Sequence, residues 1–242
     1  MWNKIVSTPR VYPFLLAGVL VSTAGGFALA NKFALPFLNI LFAYPVMYSL
    51  LKLEQRKRAF VAMLFWALFL GVVTVIACVR FPAVAERSIL NGADYVREMF
   101  HWIKTGEGTE SEPLRFVPQH LFHFAAFVVL SLLTAGILSL FMGAILMNYM
   151  SFYVGSLILA SHDHVVAALM GWHPWAAIRV ASFVILGVIL AEPGVCRLSG
   201  RYYDYEGARP YFWAALTGVV LDMIIKALLA PWWGLALRKL IV

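Results

Sequence analysis

The sequence predicts an all-α, polytopic membrane bundle with seven spanning segments, or six if one of them is re-entrant. Three observations carry that expectation. Of 242 residues, 62% are hydrophobic and only 13% charged, whereas soluble domains sit near half apolar and a quarter charged. From Phe124 to Ser161 no residue carries a formal charge, a run too long for the buried helix of a soluble core. Apolar stretches of spanning length recur along the whole chain, with Lys and Arg falling between them. The net charge of +7 is therefore read as a set of topology determinants. It does not gather on one stripe, which argues against nucleic acid as a partner. The expected partners are the lipid bilayer and other membrane subunits.

The chain opens with a basic stretch, Met1–Arg10, followed by apolar Val11–Gly26 and then Ala28-Leu29-Ala30, which resembles a signal-peptidase site. A second apolar segment follows at once, so 11–30 is read as an uncleaved first span. Asn31-Lys32 turns the chain into segment two, 33–51, where Pro36 and Pro45 mark kinks that neighbouring helices can satisfy. Lys52, Arg56, Lys57 and Arg58 form the densest basic cluster, and segment three, 59–79, ends at Arg80.

The one long polar connection is 81–116. Within it, 83–104 repeats apolar residues at helical spacing with charges interleaved, as in an amphipathic helix lying on the bilayer or capping the bundle. The stretch 104–113 reads as an acidic, glycine-containing loop without a phosphate-binding pattern.

A continuous helix from Val117 to Ala160 would be roughly 66 Å long, about twice the hydrocarbon core, so the chain must turn inside it. The expected turn lies near Phe141-Met142-Gly143, giving segments 117–140 and 144–160. Segment six is 175–192, ended by Pro193-Gly194, and a polar connection at 196–210 leads to segment seven, 211–230. Pro231-Trp232-Trp233 then marks an interface, and Arg238-Lys239 closes a short tail. All segments are assigned to a single integral membrane domain, 1–242. The positive-inside rule puts 52–58 and the N-terminus on the cytoplasmic side of a plasma-type (inner) membrane. If 144–160 is re-entrant, everything downstream inverts, and Lys and Arg divide evenly on either arrangement.

Two groups of residues could carry chemistry. With seven crossings all six histidines fall at one membrane face, where imidazoles bind metals or relay protons. His120 and His123, three residues apart, share a helix face; with His162 and His164 they form the expected site for a divalent transition metal. Commonly, though, interfacial histidines bind no ligand. The two cysteines, Cys78 and Cys196, lack metal-ligand spacing.

The second group is intramembrane: Asp222 and Lys226 in segment seven, with Asn148 in segment five. Charges in hydrocarbon cost about 2.5–3.5 kcal/mol each on insertion scales and are usually buried, paired and functional. Asp222 and Lys226 stand four residues apart, in the order that favours pairing within a helix. Arg179 reads as an interfacial anchor, and Glu192 as a further polar residue in the lipid zone. Leu221-Asp222-Met223-Ile224-Ile225-Lys226 resembles the last helix of microbial rhodopsins, in which the lysine holds retinal and the aspartate is part of its counter-ion. That resemblance covers one helix, and segment three lacks the carboxylate it implies there.

No catalytic or transport signature is present. The leading expectation is a protein that handles a small solute, ion or proton, as transporter, channel or membrane-complex subunit. The alternatives are a membrane-embedded metal-dependent enzyme using the outer-face histidines, and a non-catalytic assembly subunit.

Overall fold

The computed structural model describes residues 2–241 and, among them, is helical without strands. Short turns and the polar connections order the helices as α1 (Trp2–Val6), α2 (Val11–Leu29), α3 (Ala34–Lys52), α4 (Arg56–Arg80), α5 (Pro82–Ser88), α6 (Gly92–Thr105), α7 (Pro113–Leu133), α8 (Ile137–Ala160), α9 (His164–Met170), α10 (Pro174–Ser199) and α11 (Tyr205–Ile241). Seven of these, α2, α3, α4, α7, α8, α10 and α11, are long and apolar enough to cross a membrane. The protein is thus a multi-pass bundle whose lipid-facing sides keep large apolar side chains exposed, among them Leu68, Phe122, Leu133 and Leu228.

α8 is one continuous helix of 24 residues, long enough for a full crossing, which favours seven segments over six. The turn before it lies at Thr134–Gly136, not near Gly143 as expected from the midpoint of the apolar run. Backbone chemistry sets the place. The Thr134 hydroxyl donates to the Leu130 carbonyl at 2.6 Å and accepts from the Leu138 amide at 3.0 Å, ending one helix and starting the next. Ala135 and Gly136 are left-handed, with φ of 48° and 89°. A Cβ at Gly136 would lie 2.6 Å from the Ala191 Cβ, so the turn is tucked against α10, as an uncharged turn in lipid must be.

The amphipathic stretch is two helices, α5 and α6, because Asn91 sits at φ 60° between them. α6 turns Met99, Trp102 and Ile103 inward against α8 and α11 and caps the bundle. Pro193 does not end α10, which continues to Ser199, and α11 runs unbroken through Pro231 to Ile241.

α4 and α8 form the centre, joined by α2, α3 and α10. Between α2, α3 and α8 a buried polar chain runs from the Ser22 hydroxyl to Asn39 (2.9 Å) and from the Asn39 amide to the Asn148 carbonyl oxygen (3.2 Å). At the N-terminal end of the bundle Arg56 reaches α10 and ion-pairs with buried Glu192 at 2.6 Å, which explains that residue's place in the apolar zone. One architectural detail positions the site. α8 and α10 scarcely touch, and α7, the least buried of α3, α4, α7, α8 and α10, lies over the gap.

Candidate functional site

Four ionised side chains and a histidine meet at the end of the bundle under α6. Arg179, on the second turn of α10, grips Asp222 of α11 with two parallel bonds, Nε to Oδ2 at 2.8 Å and Nη2 to Oδ1 at 3.0 Å. Such a fork is the strongest and most directional form of the pair. One turn along α11, the Lys226 Nζ donates to Glu110 Oε1 at 2.9 Å and stands 4.6 Å from the centre of the Phe116 ring. Asp222 and Lys226 are essentially inaccessible. Asp222 and Lys226 therefore share a helix face, as their spacing implies, but each pairs with another element and not with the other. Arg179 is likewise no interfacial anchor; it is the partner of Asp222.

Glu110 belongs to the loop between α6 and α7, yet it is buried in the bundle. Burial alone would push its carboxyl up; the Lys226 ammonium, with His173 and Arg179, outweighs that and holds it at about 2. The loop is thus fastened by an ionised side chain.

His120 sits behind this pair of ion pairs. Its Nδ1 is 2.8 Å from the Phe116 carbonyl, which can only accept, so Nδ1 carries the proton. Nε2 is buried without a hydrogen-bond partner among the described residues, 3.7 Å from Asp222 Oδ2, beyond hydrogen-bond range. His173, at the start of α10, lies buried between Trp175, stacked at 4.7 Å, and the Tyr153 hydroxyl at 3.3 Å. Burial pushes its pKa down to about 4; Glu110 opposes the shift, and Lys226 and Arg179 reinforce it.

The other predicted histidines do not join these. His123 is half-buried one turn beyond His120, while His162 and His164 are exposed on either side of Asp163. His101 is exposed on α6. The predicted metal set of His120, His123, His162 and His164 shares one end of the bundle but does not converge. Among the described residues no three His, Cys, Asp or Glu side chains are placed to hold a metal ion. Asn148 is elsewhere, in the polar chain with Asn39.

Between α8 and α10, beneath α7, lies a cavity of about 140 Å³. Its lower walls are apolar, with Met47, Met63, Met147 and Val184 among them; its upper end meets Tyr95, Glu98, Glu110, His120, Tyr149 and Arg179. Lys226, the residue that the rhodopsin resemblance would make a cofactor attachment point, is not in its wall. Gly143 of α8 faces the cavity, and a Cβ there would meet nothing within 4 Å.

Sequence reading missed Glu110 and Tyr95 and gave Arg179 the wrong role. Arg179 carried a usable signal, being a charge inside an apolar segment just as Asp222 and Lys226 are. Glu110 carried none, since a glutamate in an acidic, glycine-containing loop reads as solvated. No family model matches the chain, and no curated protein or solved structure matches it either.

Proposed function

We propose that this multi-pass membrane protein handles a small solute, ion or proton inside its bundle, acting as a transporter, a channel or the conducting subunit of a membrane complex. One observation carries the reading: buried ionised groups from three elements, with His120, line or back the polar end of an intramembrane cavity. A bundle that only needs to pack is served as well or better by apolar residues, because desolvation of an ion pair offsets most of its attraction. Buried charge at a cavity is the usual mark of a pathway. His120 suits a relay. A proton taken up at Nε2 places a positive charge 3.7 Å from Asp222 Oδ2, in competition with the Arg179 fork. The basic N-terminal end, with Lys52, Arg56, Lys57 and Arg58, is assigned to the cytoplasmic side of a plasma-type membrane.

Flux measurements on purified protein in proteoliposomes test the proposal. Asp222→Asn strips the Arg179 guanidinium of its counter-charge and is expected to cost about 3–5 kcal/mol of stability. The double change Asp222→Leu with Arg179→Met removes both charges and should restore the thermal midpoint while leaving proton or solute flux near the lipid background. A double variant with wild-type flux would show that the pair is only structural.

A further inference from the structure

The cavity has a charge imbalance that its own residues do not cancel. Its wall contains two carboxylates, Glu98 and Glu110, and one cationic side chain, Arg179. Behind the wall Asp222 pairs with Arg179 and Lys226 with Glu110, so the unbalanced carboxylate is Glu98. Both Arg179 nitrogens that reach Asp222 are committed to it, so the guanidinium presents little free charge to the cavity. One negative charge is left over, in a site whose remaining walls are apolar or aromatic. An anionic guest would add to that charge; a neutral one would leave it standing. A monocation would balance it.

We infer that the cavity binds a small amphiphilic monocation, an amine or quaternary ammonium on an apolar body. This deepens the solute reading above by naming the class of solute. Three independent features agree. The volume, about 140 Å³, is close to the roughly 150 Å³ cavity that holds a benzene ring and well short of a drug-sized site. Tyr95 and Tyr149, with ring centres 4.6 Å apart, stand in the wall beside Glu98 and Glu110, and aromatic faces attract ammonium groups. The opposite end offers Met47, Met63, Met147 and Phe183, where methionines adapt to varied apolar shapes. The cationic head therefore sits under α6 and the apolar body points down the gap between α8 and α10. Glu98 holds the Thr109 hydroxyl and has no cationic partner among the described residues, which makes it the carboxylate free to meet the head.

The test compares three ligands of one shape on detergent-solubilised full-length protein: benzyltrimethylammonium, its uncharged carbon isostere neopentylbenzene, and the anion phenylmethanesulfonate. Calorimetry should show the cation bound at least tenfold more tightly than the isostere, with the anion weakest. Glu98→Gln keeps an acceptor for Thr109 and leaves the Lys226–Glu110 pair intact, so the fold survives; it should weaken the cation about tenfold and leave the isostere unchanged. Tyr95→Leu should also weaken the cation more than the isostere. Equal binding of cation and isostere, preference for the anion, or an unchanged cation affinity in Glu98→Gln each overturns the inference. Proton flux without cation binding would remove the ligand class while keeping the conduction reading. Cation binding without any flux would do the reverse.

Discussion

Asp222 gives both carboxylate oxygens to a single guanidinium, and that geometry cannot be supplied by an ammonium. Arg179→Lys keeps the charge but offers a point donor in place of a fork. It should lower the unfolding midpoint in detergent, by a loss of about 1–3 kcal/mol, and a wild-type midpoint would show that charge alone suffices. His173 provides a different test, in pH. Its folded pKa, about 4, lies below the ordinary value of 6.5, so the unfolded chain takes up a proton first as pH falls. The stability gained by keeping the ring neutral is whole above pH 6.5 and is lost progressively down to about 4, for a total of about 3 kcal/mol. Thermal midpoints measured across that window should fall, and His173→Phe should flatten the curve. Glu110 acts at lower pH. Its depressed pKa of about 2 gives stability that is full above the ordinary carboxylate range and disappears only as pH falls through 2.

At the scale of helices, two glycines of the α7–α8 unit make opposite predictions. Gly136 is left-handed, and a Cβ added there would lie 2.6 Å from the Ala191 Cβ. Gly136→Ala should therefore destabilise the turn, by about 1–3 kcal/mol. Gly143 is helical and faces the cavity with nothing within 4 Å. Gly143→Leu should preserve or raise the unfolding midpoint, since a helix gains when glycine leaves it, while abolishing cation binding by filling the space. Loss of fold in that variant would show that the cavity has no room to spare. The same pair shows what the sequence could convey. Seven spans were legible because hydrocarbon demands long apolar runs, and that demand is written in composition. The turn at 134–136 was not, because its cause is two residues with positive φ in an otherwise uniform stretch. The intrahelical reading of Asp222 and Lys226 followed from spacing alone. Their real partners come from α10, 43 residues back, and from the α6–α7 loop, 116 residues back, and contacts of that kind are fixed only by the packed bundle.

Seven crossings put the α9 region and the α10–α11 connection on opposite faces of the membrane, and this defines a test of the whole molecule. Val165 and Tyr202 are exposed, and the native cysteines, Cys78 and Cys196, are buried. A membrane-impermeant maleimide applied to one face should label Val165→Cys or Tyr202→Cys, never both; labelling of both from one side would refute an odd number of crossings between them. The ion pairs have a further consequence, for the order in which the chain is made. α11 is synthesised after α10 and the α6–α7 loop, and it enters lipid with Asp222 and Lys226 before either has met its final partner. Four residues apart, the two can neutralise each other during insertion, then exchange that partner for Arg179 and Glu110 once the helix docks. Until then Glu110 and Arg179 lack these partners in the helices already inserted. α11 thus supplies the counter-charges of Arg179 and Glu110, so a chain stopped at residue 204 should insert and then be recognised as defective and degraded, while α11 supplied as a separate polypeptide should rescue it.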